Sequence, residues 1–241
     1  MGLNWHPLHQ EGVPVDVHAL TPKGGKMNLR FPDKPSEIFP DVIEELDNGK
    51  SFAQSKLDGY RCLVTKDTKH KMIKRLSTPI NDTGSGIFYL TRRGINKGGP
   101  TNNPVSEQII NAVQELNLPD NTMLDAEWVF RRTKDHPEGL WIHDILWLND
   151  TWQGNKPCIE RYENILLPLL NGMKEPLHVP DLAMNGFKDF FMKQKLIPWT
   201  EGIVIKEKES LITGNITECT KIGSWLKLKW RSGHDGKKIV V

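Results

Sequence analysis

The sequence predicts an α+β fold with mainly antiparallel β-sheets flanked by helices. Three observations carry that expectation. Short apolar runs of strand length, such as residues 87–91 and 203–206, recur along the chain. Stretches with helical spacing, such as 105–116, are interspersed with them. The two kinds do not alternate regularly, as a parallel βαβ sheet would require, so antiparallel pairing is favoured.

Each element has its own signal. The first 35 or so residues are punctuated by Pro14, Pro22, Gly24, Gly25, Pro32 and Pro35, which predicts loops and short extended pieces. Residues 41–46 read as a short helix stopped at Gly49. Residues 51–55 and 61–66 read as strands bracketing a tight turn at Asp58-Gly59, and 87–91 as another strand. In 105–116, Val105, Ile109, Val113 and Leu116 form one apolar stripe of a helix. Residues 123–130 and 140–148 are strands joined by a polar loop holding Pro137 and Gly139. Residues 159–170 and 187–196 are helical, and 203–206 and 225–230 close the pattern as strands. No internal repeat or low-complexity tract is present.

The bulk numbers exclude some classes. With 241 residues, 37% hydrophobic and 26% charged, the chain can bury a large core as one big domain or two small ones. No run approaches the roughly 18 apolar residues of a membrane span, and no basic-then-apolar signal peptide opens the chain, so no membrane partner and a cytoplasmic location are expected. Cys62, Cys158 and Cys219 lack paired metal-ligand spacing and read as free thiols. The net charge of +2 is weak support for nucleic-acid binding, although residues 66–75, 92–97 and 221–238 are basic stretches. Gly49-Lys50-Ser51 mimics the end of a phosphate-binding P-loop, but Glu44 stands where that loop needs its first glycine.

The chemistry concentrates in five segments in order. They are Lys56-Leu57-Asp58-Gly59-Tyr60-Arg61, Leu124-Asp125-Ala126-Glu127, the aromatic strand 140–148, Glu201-Gly202-Ile203-Val204-Ile205-Lys206, and Trp225-Leu226-Lys227-Leu228-Lys229. A lysine amine attacking a phosphate must be neutral, yet lysine titrates near ~10.4, so cations and partial burial must lower it. Negative charge spreads over the phosphate oxygens in the transition state and needs fixed cations. Lys227 and Lys229 alternate along one strand and share a face, with Leu226 and Leu228 toward the core, as a two-lysine phosphate clamp requires. Glu127, on the same side as Asp125, and Glu201 are carboxylates suited to a divalent metal beside phosphates.

With these segments the chain resembles the adenylation domain of ATP-dependent DNA ligases, particularly the compact phage type, over about residues 52–235. The resemblance implies the nucleotidyltransferase (ATP-grasp-like) fold. It implies that Lys56 becomes covalently linked to AMP and that Arg61 contacts the ribose and later the nick. Gln54, two residues before the lysine, would read the adenine amino group through its amide oxygen, where glutamate is more familiar. Arg92, in a loose Thr91-Arg92-Arg93-Gly94 match, would grip the nick 5′-phosphate. Glu127 would bind ribose or metal, Glu201 metal or the lysine, and Lys206 would approach a phosphate. Lys227 and Lys229 would neutralise the α-phosphate. Two departures stand out: Ala126 replaces a glycine, and His143 takes the place of the ring that stacks on adenine, with Trp141 as the alternative.

The same resemblance implies ATP and Mg²⁺ as cofactors and nicked duplex DNA as partner. It divides the chain into an N-terminal extension (1–35), an adenylation domain (36–231) and a hinge (232–241) toward an oligonucleotide-binding barrel, an OB-fold, supplied in cis or in trans. A five-stranded barrel does not fit in residues 230–241. Capping guanylyltransferase is the nearest rival reading, although its fourth segment usually opens with Asp-Gly. RNA ligase ranks third, and an inert nucleic-acid-binding remnant of the fold is the non-enzymatic alternative.

Overall fold

The computed structural model describes residues 34–69, 86–91, 105–130, 138–212, 221–232 and 238–240. In chain order they form β1 (Lys34–Glu37), α1 (Ile43–Leu46), β2 (Ser51–Leu57), β3 (Tyr60–Lys66), β4 (Ile87–Thr91), α2 (Glu107–Glu115), β5 (Thr122–Val129) and β6 (Gly139–Leu148). There follow β7 (Thr151–Trp152), α3 (Cys158–Glu160), π-helical turns at Arg161–Leu166, α4 (Leu167–Leu169), β8 (Leu177–His178) and β9 (Leu182–Ala183). The last elements are α5 (Phe187–Gln194), β10 (Thr200–Glu207), β11 (Lys221–Ser232) and β12 (Lys238–Val240).

The strands make two six-stranded sheets. The first runs β1-β11-β10-β2-β9 with β12 on β11; the second runs β4-β3-β5-β6-β7 with β8 on β6. Only β1/β11 and β6/β8 are parallel among the described pairs, so the expected antiparallel character holds. The tight turn at Asp58-Gly59 is present, but it closes no hairpin. It carries the chain from β2 in the first sheet straight into β3 in the second. One short motif therefore supplies side chains to both sheets.

Because side chains alternate across a strand, each sheet has two faces with different fates. On β2, Phe52, Gln54 and Lys56 share the face that meets the second sheet. Phe52 and Trp225 from the first sheet pack there with Leu63, Phe88, Leu90 and Met123 from the second. The outer face of the first sheet (Ala53, Ile203, Ile205, Leu228, Trp230) is covered by Ile43, Phe187 and Phe191 of α1 and α5. The outer face of the second (Cys62, Val64, Leu124, Ala126, Ile142) is covered by Ile109, Ala112 and Val113 of α2, with Tyr162 and Leu166. The intersheet layer is thus apolar at the Phe52 end, and along the same strands it becomes polar toward Lys56 and Glu127.

Cys62 and Cys158 are buried free thiols, as expected, and Cys219 lies outside the described residues. Lys238–Val240 folds back to pair with β11 through Trp230, Arg231 and Ser232. No helix among the described residues is long and apolar enough to cross a membrane.

Candidate active site

The first sheet brings the lysines together around a residue with no side chain. Gly202 on β10 pairs with Lys56 of β2 on one side and Lys229 of β11 on the other. Strict alternation would turn Glu201 away from both lysines. A bulge prevents this: Thr200 pairs with Leu57 and Gly202 with Lys56, leaving Glu201 as the extra residue. Gly202 has φ +153°, and a Cβ there would lie 1.9 Å from the Leu228 carbonyl oxygen, so glycine is required. The re-aimed Glu201 accepts a hydrogen bond from Lys56 Nζ on Oε1 and another from Lys229 Nζ on Oε2 at 3.2 Å. Lys227, opposite Val204 on the same face, pairs instead with Glu37 of β1 at 3.6 Å.

The second sheet contributes the buried half. Arg61, at the start of β3, pairs with Glu127 of β5. Its Nε donates to Asp125 Oδ1 at 2.8 Å and its Nη2 donates to Oδ2, a two-pronged grip on a carboxylate with 0% exposure. Burial pushes the Asp125 carboxyl up, but the charge of Arg61, the charge of His143 and the Arg61 hydrogen bond outweigh it, and the net shift is downward. For Glu127 burial wins: its pKa rises to about 7, although Lys56 and Arg61 pull it down while Asp125 and Glu201 push it up. Those influences from both sheets on one carboxyl show how closely the two faces approach. Gly59 makes the approach possible, since a Cβ there would come within 2.6 Å of the Trp128 carbonyl oxygen and 2.9 Å of Glu127 Cγ.

His143 occupies a second bulge. Asp125 pairs with Asp144 and Ala126 with Ile142, so His143 is the inserted residue of β6. Its Nδ1 lies 3.8 Å from Asp125 Oδ2. Burial lowers its pKa to about 4 against the pull of Asp125, so the ring is neutral at neutral pH. Trp141, the alternative ring, is stacked on His178 at 4.3 Å and packed with Leu57, Val129 and Trp199. Ala126 sits fully buried in the outer cluster of its sheet, so its methyl group fills core space and leaves the site face untouched.

Two further residues line the inner face. Gln54 is 2% exposed and its Nε2 has no hydrogen-bond partner among the described residues. Lys206 is 3% exposed with its ammonium 4.4 Å above the Trp225 ring, and no ion pair within 4 Å forms with it among the described residues. Arg92 lies outside the described residues. Lys56, Arg61, Glu127, His143, Glu201 and Lys229 are gathered at the polar end of the intersheet layer; Lys206 starts from the level of Phe52 and Trp225, and its charge is still felt by Asp125 and His143.

Among the described residues no group of three or more His, Cys, Asp or Glu side chains is arranged to hold a metal ion. Glu127 and Glu201 come from the two sheets and lie close enough for the charge of Glu201 to be felt at Glu127. That donor set fits Mg²⁺, which takes one or two carboxylates and completes its shell with phosphate oxygens and water.

Three residues of the site had no role predicted from the sequence. Asp125 fixes Arg61, and its signal was present: an acidic residue two before Glu127 in an apolar strand. Trp225 supports Lys206. Glu37 reaches Lys227 from a Pro-rich stretch that carried no hint of it.

No protein-family profile matches the sequence, and no curated protein matches it. Solved structures do. A mycobacterial DNA ligase D complexed with ATP and MES matches with TM-score 0.58 and 18% identity, over 84% of this chain and 61% of its own. The ligase domain of LigD from M. tuberculosis matches with TM-score 0.56 and 20% identity, over 83% of this chain and 60% of its own. The chain therefore spans about three-fifths of those structures. It has their fold, the nucleotidyltransferase fold that the five sequence segments led us to expect.

Proposed function

We propose that this domain is the adenylation domain of an ATP-dependent DNA ligase, which takes AMP from ATP onto Lys56 and passes it to the 5′-phosphate of a nicked duplex for sealing. The observation that carries this reading is the contact of Lys56 with a carboxylate that also holds a second lysine. A lysine nitrogen beside a carboxylate that can take its proton, with cations ready for phosphate oxygens, is the set of groups that attack on phosphorus needs.

In the proposed step the Lys56 nitrogen forms a bond to the α-phosphorus, the bond from that phosphorus to the bridging oxygen breaks, and pyrophosphate leaves with the electron pair. The amine proton passes to Glu201 or to solvent. Lys229 and Lys227 exchange their carboxylate partners for phosphate oxygens. Arg61, held rigid by Asp125, is placed for the ribose and later the nick, and neutral His143 offers a ring face to the base. Glu127 and Glu201 would hold Mg²⁺, which supplies charge neutralisation at the phosphates. The proposal extends to residues 1–35 as an extension, 36–231 as the domain and 232–241 as a hinge toward an OB-fold partner. Arg92 is proposed for the 5′-phosphate.

The experiment is incubation with α-labelled ATP and Mg²⁺ followed by denaturing electrophoresis. Label that survives denaturation in the wild type and is absent from Lys56→Ala is expected. Label persisting in that variant, or label taken from GTP alone, contradicts the reading.

A further inference from the structure

The strongest unexplained group on the inner face is the Gln54 amide. It is buried, it shares a strand face with Lys56, and its nitrogen donates to nothing among the described residues. Leaving a buried donor unsatisfied is costly, so such a group in a native fold calls for a partner that arrives later. Its position says what kind of partner. Two residues along a strand span roughly 6.6 Å, and the Gln54 end of β2 lies deeper between the sheets than the Lys56 end. A nucleoside tethered through its α-phosphate to Lys56 and directed inward would bring its base to Gln54.

From this we infer that the base site accepts 6-oxo purines as well as 6-amino purines, with Gln54 as the residue that permits both. The inference rests on the lysyl-nucleotide reading of Lys56. An amide presents an oxygen that accepts from the amino group of adenine and a nitrogen that donates to the keto oxygen of guanine or hypoxanthine. A half-turn about its last side-chain bond exchanges the two. A carboxylate at the same place is acceptor-only when ionised and sets lone pair against lone pair with a keto oxygen. The bond changes with GTP are those written for ATP: nitrogen to α-phosphorus forms, and pyrophosphate departs with the electrons of the broken P–O bond.

The test compares α-labelled ATP, GTP and ITP on the full chain with Mg²⁺, in the wild type, Gln54→Glu and Lys56→Ala. The wild type is expected to take Lys56-dependent label from GTP within about tenfold of ATP. In Gln54→Glu the GTP-to-ATP ratio is expected to fall at least about tenfold, with thermal melting confirming the fold. ITP reads out the same group in unaltered protein, because it keeps the keto oxygen and lacks the 2-amino group; label equal to that from GTP is expected. ATP label with GTP label a hundredfold weaker overturns the inference and leaves the adenylation reading standing. A ratio unchanged in Gln54→Glu, or ITP far poorer than GTP, overturns the assignment to Gln54. Absence of label from every nucleotide overturns the lysyl-nucleotide reading itself.

Discussion

The two sheets hold opposite halves of the site in opposite ways. On the first, Lys56, Glu201 and Lys229 are linked by contacts between side chains that are 21–27% exposed, and Lys227 leans on a half-exposed Glu37. On the second, Arg61 and Asp125 are locked in a buried grip, and Glu127 and His143 are shifted strongly by burial. Partly exposed ion pairs contribute little to stability and exchange partners readily, whereas a buried pair is costly to break. The difference separates the tasks. In the proposed reaction the first sheet's cations let go of carboxylates when phosphates arrive, and the second sheet is the fixed frame against which the nucleotide is oriented.

The comparison breaks most visibly at Asp125. Asp125→Ala takes the two-pronged partner from Arg61 and is expected to lower unfolding free energy by about 3–5 kcal/mol, read from urea denaturation. A loss below about 1 kcal/mol would mean the second sheet is as yielding as the first. Gly202→Ala ranks second. A methyl group at φ +153° against the Leu228 carbonyl is expected to cost about 2 kcal/mol or more and to disturb the bulge that aims Glu201. Melting and Lys56 labelling should fall together.

Glu127 sharpens the contrast through pH. Its folded pKa of about 7 lies above the ordinary 4.5, so the folded state binds the proton more tightly than the unfolded chain. The stability this supplies is full below about pH 4.5 and is lost as pH rises through about 7. Urea midpoints across that window should decline less steeply in Glu127→Gln than in the wild type. Equal slopes would remove the argument that the second sheet buries this carboxyl. The smallest stability effect is expected at Glu201→Gln, within about 1 kcal/mol, while Lys56 labelling drops about a hundredfold or more. Loss of stability without loss of labelling would invert the roles assigned to the sheets.

Much of this was legible in the sequence. The α2 stripe of Ile109 and Val113 and the paired lysines of β11 follow from periodicity, because burial of one face imposes it, and the strand at 87–91 follows from a short apolar run packed on both faces. The turn at Asp58-Gly59 was legible, but its crossing between sheets was not, since pairing partners distant in sequence leave no local mark. The bulges at Glu201 and His143 were hidden for a related reason. Period-two alternation predicts the wrong face for Glu201, and only the adjacent glycine hints at an interrupted ladder. Glu37 was illegible because its partner lies at the far end of the chain, brought close by the β1/β11 pairing.

The account depends most on the identity of the nucleophile, and peptide mapping by mass spectrometry addresses it directly. After incubation with ATP and Mg²⁺ and digestion under conditions that preserve phosphoramidates, the peptide containing Lys56 is predicted to carry one AMP, with none elsewhere. AMP on a different peptide, or the same modification in Lys56→Ala protein, would contradict the account.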